Sequence, residues 1–282
     1  MPSRYRSALW ISAGLASLAL IVWLGRATPA TTPAGAFLGP AAYADAPTPA
    51  RTMAALTERD LLELTRRGRE RYAREIRDYC CTFLKQERID GKLRPREEIK
   101  VRYRESPTSI YMIWQKNASE AKRALFKDTK EFLDKKNQKV ARVEPNGAIV
   151  KLFVKDVRVA IDGPEAHRTS RRTIDEFGFK STFELLERYN RVGEENGVLD
   201  IRYGGEGTID GRPTYVLIRH LPYDGPKGAY PDALMVLHLD QEWLLPTAVY
   251  SYADREGKEL LGSYVFTNLR LNTGLGDADF KF

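Results

Sequence analysis

The residues of this chain with the type and spacing for chemistry are few. Cys80 and Cys81 are adjacent, His238 and Asp240 stand two apart, and Glu97-Glu98 and Glu194-Glu195 pair carboxylates. Neighbours on a strand face opposite ways, so the two thiols diverge and a disulfide between them is strained. With no further Cys to complete a ligand set, they build no zinc site. The ordinary arrangement is one buried thiol and one near the surface; the alternative, open to an exported protein, is an intermolecular bridge. His238 and Asp240 share a strand face at a spacing that can hold a metal, but no third ligand accompanies them. His167 falls in a polar loop and His220 at a strand end, and both read as structural. The two carboxylate pairs read as solvated loops. There is no Gly-x-Ser-x-Gly, no phosphate loop and no His-Glu-x-x-His. The expectation is a protein that is not an enzyme, with no catalytic residue, no metal and no cofactor.

The large apolar side chains say more. Tyr103, Met112, Trp114, Phe126, Phe153, Met235, Leu237, Tyr252 and Phe266 fall on expected strands. Each could be ordinary core. The functional alternative is that they line a ligand cavity between sheet and helices, where Met and aromatic side chains adapt to flexible apolar ligands. Residues 110–114 and 233–239 are apolar on both faces, whereas a sheet with one wet face alternates. Something must cover the second face, and the expected helices are too short to cover all of it.

These side chains need elements to position them. Thr57 with Asp60 forms the pattern of a capping box, and Leu61, Leu62, Leu64, Tyr72 and Ile76 follow at helical spacing, which predicts an amphipathic helix over 57–77. At Tyr79 the period changes to two. Strands are expected at 79–89, 99–104 and 110–114, with Asp90-Gly91 as a hairpin turn. Residues 117–139 are ambiguous: Ala, Lys and Glu favour helix, while 122–126 could be a short strand. A turn at Asn146-Gly147 separates strands at 148–155 and 157–161. Short helices are expected at 173–176 and 182–189. Strands follow at 199–206, 214–220, 233–240, 247–253 and 260–269. About ten antiparallel strands with a few helices predict a barrel or a large curved sheet.

The chain has 282 residues, 43% hydrophobic and 29% charged, which is the profile of an ordinary globular protein. The formal net charge is +7, but Arg4, Arg6 and Arg26 flank an uncharged run at 8–24, so the remainder is only mildly basic. Arg66-Arg67, Lys135-Lys136 and Arg171-Arg172 are the densest basic runs. Acidic residues stand near all three, so they read as solvated faces and not as a nucleic-acid stripe. The basic start and the apolar run have the layout of an export signal, and the orientation rule sends the rest of the chain outward. Residues 1–27 are therefore a cleaved signal peptide or a retained membrane anchor. Residues 28–53, rich in Pro and Ala, are a linker, and 54–282 a β domain. The expected place is the periplasm or cell envelope, either secreted or tethered to the cytoplasmic membrane through residues 8–24. Nothing in the pattern specifies an oligomeric state.

One run of motifs resembles a known family. It comprises Tyr79-Cys80-Cys81-Thr82-Phe83-Leu84-Lys85-Gln86-Glu87, Gly91, Ile99-Lys100-Val101-Arg102-Tyr103, Pro107 and Ile110-Tyr111-Met112-Ile113-Trp114. Further on come Gly211-Arg212, Tyr215-Val216-Leu217, Tyr230-Pro231, Asp240, Leu245-Pro246, Tyr264, Asn272 and the ending from Gly274 to Phe280. The pattern is similar to a bacterial envelope family, the domain of unknown function 1571, and more widely resembles the LolA/LolB-like lipoprotein-carrier superfamily. Ala121-Lys122-Arg123 departs from it, standing where the pattern has a Gly before the strand. The resemblance implies a mainly β (α+β) fold, an unclosed antiparallel β-barrel or strongly curved sheet with helices over the concave side. It supplies no catalytic residue. Together with the apolar strands it implies a partner that is a lipid or an acylated protein, bound by a carrier or sensor. The competing readings are an interaction or scaffold module of the same fold with a filled core, and an envelope hydrolase.

Overall fold

The computed structural model describes residues 57–146 and 157–282. The expected export segment 1–27, the linker 28–53, the strand at 148–155 and Phe153 lie outside the described residues, as does Gly147 of the expected turn. No helix among the described residues is long and apolar enough to cross a membrane, a statement that does not reach residues 8–24.

The first helix, α1 (Glu58–Glu75), starts where the capping pattern places it. The Thr57 hydroxyl accepts from Asp60 N–H, and the Asp60 carboxylate accepts from Thr57 N–H at 2.9 Å. Its buried stripe is Leu61, Thr65, Gly68 and Tyr72, continued by Ile76 at the C-cap. Gly68 is there because another chain segment comes close: a Cβ on it would collide with the Leu244 carbonyl oxygen. The chain then turns into twelve strands, all paired antiparallel. They are β1 (Asp78–Ile89), β2 (Lys92–Leu93), β3 (Glu97–Glu105), β4 (Thr108–Lys116), β5 (Ala121–Lys127), β6 (Val140–Pro145), β7 (Val157–Ala160), β8 (Asp200–Ile209), β9 (Arg212–His220), β10 (Leu234–Asp240), β11 (Pro246–Tyr252) and β12 (Leu260–Leu271).

The sheet order is β7-β6-β5-β4-β3-β1-β12-β11-β10-β9-β8, with β2 hanging on β1. Two meanders are joined along one seam where the first strand pairs with the last, Phe83 opposite Phe266 and Lys85 opposite Tyr264. The outer strands β7 and β8 do not pair with each other, so the curved sheet is unclosed. Between them run α2 (Pro164–His167), a 3₁₀ turn at Ile174–Glu176 and α3 (Phe179–Glu195). Helices α1 and α3 cover the concave face.

Two expectations about elements change. Residues 121–127 form β5, so the helix alternative for 117–139 falls: pairing with β4 and β6 on both sides overrides the helical composition. The helix expected at 182–189 is α3, and it is longer, because its buried stripe of Phe179, Phe183, Leu186, Asn190 and Gly193 keeps helical spacing to the end.

One core joins both helices to the concave face. Tyr79 stacks on Tyr103 at 4.7 Å between ring centroids, and Phe179 meets Tyr79 at 4.9 Å and Phe266 at 4.6 Å. On the convex face the C-terminal segment covers β4 and β5. The Asp78 carboxylate accepts from the backbone N–H groups of Thr273, Gly274 and Leu275. Phe280 then packs with Tyr111, Leu125 and Phe132, under the Arg104 guanidinium.

Candidate functional site

The sheet alternates, and each strand sends every second side chain inward. On β3 the buried set is Glu97, Ile99, Val101 and Tyr103. On β1 the same parity runs Tyr79, Cys81, Phe83, Lys85 and Glu87. Tyr79 and Tyr103 pair at one end of these antiparallel rows, against Phe179 of α3. At the other end, from Phe83 and Ile99 onward, the concave face opens into a cavity of about 420 Å³ that α3 also borders, through Thr182, Leu185 and Tyr189. Part of the reason is side-chain size: Ala121, Ala124, Ala141, Ala160 and Ala166 stand on its wall where the packed region has aromatic rings.

Met112, Trp114, Met235 and Phe266 line this cavity. The other described residues expected there pack elsewhere. Tyr103 is stacked on Tyr79, with its hydroxyl 3.1 Å from the Glu105 carboxylate. Phe126 shares the face of Ala124 but lies farther along β5, against Phe132 and below Lys139. Leu237 is two residues beyond Met235 on the same face, within the packed core. Tyr252 pairs with Leu234 and not with Met235, which puts it on the convex side.

The polar part of the wall is a set of buried charges. Lys85 stands directly opposite Glu97 on β3 and Tyr264 on β12. Its Nζ is 3.0 Å from Glu97 and 3.4 Å from Glu87, whose side chain is only 2% exposed. Glu87 also accepts from the Tyr264 hydroxyl at 2.7 Å and from Arg171 N–H at 3.2 Å. Gly262 makes that hydroxyl's position possible, since a Cβ there would stand 2.8 Å from it. Burial alone would lower the Lys85 pKa, but Glu87 and Glu97 outweigh it and hold the ammonium above its ordinary value. Burial and then the Glu87 charge push the Tyr264 phenol up. A second buried group lies on β9, where Arg219 donates to Asn190 at 2.9 Å and to Asp232 at 3.1 Å.

Glu97 is thus not a solvated loop residue. It closes an internal ion pair, while Glu98 bonds Lys116 at the surface and Glu194-Glu195 is exposed at the end of α3. Cys81 is buried and Cys80 partly so; both are free thiols, and burial raises the Cys81 pKa. His238 bonds the Thr214 hydroxyl at 3.0 Å, and Asp240 holds Arg212 in a two-pronged pair at 2.6 and 2.9 Å. Lys85, Glu87, Glu97 and Arg219 escape a reading based on hydrophobicity. The available signal was parity: each continues the inward alternation of an apolar row.

Among curated proteins, none matches this chain. Solved structures give distant likenesses. The crystal structure of MucB is 17% identical over 80% of this chain, with a TM-score of 0.45, and the chain spans 63% of the MucB chain. The Mycobacterium tuberculosis lipoprotein LppX is 14% identical, with a TM-score of 0.44, over 78% of this chain and 99% of LppX. A LolA superfamily protein from Nitrosomonas europaea is 11% identical, with a TM-score of 0.31, over 81% of this chain and 99% of that one. Residues 76–282 match the family described as "Protein of unknown function (DUF1571)", and the chain belongs to that family.

Proposed function

We propose that this is an exported cell-envelope protein that takes lipid or lipoprotein acyl chains into its concave cavity, as a carrier or sensor and not as an enzyme. The observation that carries the reading is a cavity of about 420 Å³ with Met112, Trp114, Met235 and Phe266 on its wall. Met and aromatic side chains suit an apolar ligand with many conformers. Burying roughly ten methylenes contributes about 8 kcal/mol before ordering costs, a micromolar affinity, which suits a protein that must also release its load. Lys85, Glu87 and Glu97, and Arg219 with Asp232, pair with one another on the wall, which favours a structural role for them over a catalytic one. The basic start and the uncharged run at 8–24 support export.

Titration with a fluorescent fatty acid tests the reading. Micromolar binding is expected, weakened in Trp114→Ala and Met235→Asp. If neither fatty acids nor phospholipids bind, an interaction module of the same fold replaces the carrier. A reporter active only in the cytoplasm, fused after Phe282, should be silent; activity there would refute export.

A further inference from the structure

Arg171-Arg172 reads in the sequence as a solvated basic pair, and its place in the fold is different. The segment 168–173, Arg-Thr-Ser-Arg-Arg-Thr, contains no acid, and all of it except Arg171 lines the cavity. Arg171 directs its backbone N–H to Glu87 and its guanidinium to the Pro231 carbonyl. Of the wall's other cations, Lys85 lies between Glu87 and Glu97, Arg168 holds Glu120 at 2.5 Å, and Arg219 holds Asp232. Arg172 is half-buried, and among the described residues its guanidinium has no ion pair and no hydrogen-bond acceptor. Its charge is felt at the Tyr264 hydroxyl, where it opposes the upward pull of burial and Glu87.

Five of the wall's six acids are already engaged, and the sixth lies in solvent. Glu87 and Glu97 share Lys85, Glu120 holds Arg168, Glu176 accepts from Thr173 N–H, Asp232 holds Arg219, and Glu165 is exposed to solvent near Arg168. Donors are in surplus: Trp114 Nε1 and Arg219 Nε are buried without an acceptor. The one acceptor in the same condition on the wall among the described residues, Glu97 Oε2, has the Lys85 charge 3.0 Å away. The wall's six acids outnumber its four cations, but five of the acids are engaged and Glu165 is in solvent, so the free Arg172 guanidinium is the point on the wall that suits an anion. The volume of about 420 Å³ is near the lower end of the roughly 300–1,000 Å³ of ligand pockets, which fits one acyl chain better than the two of a whole phospholipid.

We propose that the cavity selects single-chain amphipaths with an anionic headgroup, carboxylate or phosphate, and that Arg172 reads the anion. This rests on the acyl-chain reading above and adds a headgroup to it. The bound chain lies against the apolar wall, and the Arg172 guanidinium donates to the headgroup oxygens.

Calorimetric titration of the wild type, Arg172→Gln and Arg172→Lys with palmitate, hexadecanol and inorganic phosphate tests this. The wild type should bind palmitate about tenfold or more tighter than hexadecanol, the worth of one charge-assisted hydrogen bond. Arg172→Gln should bring palmitate down to the alcohol and leave the alcohol unchanged, while Arg172→Lys keeps most of the preference. Phosphate alone should not bind. Equal wild-type affinity for acid and alcohol, or an Arg172→Gln that weakens both alike, overturns the anion assignment and leaves the acyl-chain reading standing. Phosphate binding without a chain overturns the amphipath and makes this a free-anion site. Failure of all three ligands overturns the acyl-chain reading itself.

Discussion

The concave face has a packed half and an open half, made by the same strands. In the packed half, Tyr72, Tyr79, Tyr103 and Phe179 fill the space between sheet and helices, and the Tyr72 hydroxyl donates to Glu105. In the open half, alanines on β5, β6 and β7 face rings such as Trp114 and Phe266 across a gap, and charged side chains replace part of the apolar row. Helices of 18 and 17 residues are each about 26 Å long at 1.5 Å per residue, enough to cover some of a twelve-stranded sheet and not all of it. The difference teaches where stability and binding separate. Side chains packed tightly between sheet and helices hold the fold, and side chains facing the gap that α3 borders are free to serve a ligand.

The largest expected effects break one half at a time. Phe179→Ala, in the packed half, should cost about 3–5 kcal/mol in urea unfolding, through lost burial and the cavity left behind. Lys85→Met, in the open half, should cost a similar ~3–5 kcal/mol, because it leaves Glu87 and Glu97 buried without a counter-charge. Either variant unfolding at the wild-type midpoint would contradict the corresponding packing.

A buried ionisable group on the convex face gives a contrasting pH response. His238 bonds only a neutral hydroxyl, and burial lowers its pKa from 6.5 to about 4. The unfolded chain therefore binds the proton more readily than the folded one. Stability from this group is present above pH 6.5 and is lost as pH falls from there to about 4. The loss is on the order of 3 kcal/mol, since each tenfold change in proton affinity is worth about 1.4 kcal/mol. Unfolding curves across that window should be steeper for the wild type than for His238→Asn, and parallel curves would contradict the assignment.

The smallest effect sharpens the comparison best. Ala124→Leu points into the cavity and should change stability by less than ~1.5 kcal/mol while reducing acyl-chain affinity. Gly68→Ala adds a single methyl in the packed half, against the Leu244 carbonyl, and should cost about 1–3 kcal/mol with no direct effect on binding. Equal stability costs in the two variants would erase the distinction between the halves.

The fold was legible in the sequence where local signals agree. Thr57 and Asp60 marked the start of α1, and the change of period at Tyr79 marked the start of the sheet. Residues 121–127 were hard to read because strand pairing on both sides outweighs a helical composition. The apolar wall was partly visible through Met112, Trp114, Met235 and Phe266. Tyr103, Phe126 and Leu237 have the inward parity as well, but position along the strand decides between core and cavity, and no local pattern carries that. The charged wall was hidden for another reason. Lys85, Glu87 and Glu97 have types that predict solvent, and only partners distant in the chain, such as Tyr264, make their burial tolerable.

Trp114 allows the claim that an acyl chain occupies the open half to be measured at the site. The chain has 4 Trp; Trp114 lines the cavity, and Trp243 lies under the Arg71 guanidinium at 4.5 Å. Titration with a brominated fatty acid, which quenches tryptophan on contact, should give saturable quenching in the wild type. That quenching should persist in Trp243→Phe and disappear in Trp114→Phe. Absence of saturable quenching, or quenching that survives Trp114→Phe unchanged, would contradict an acyl chain in the cavity.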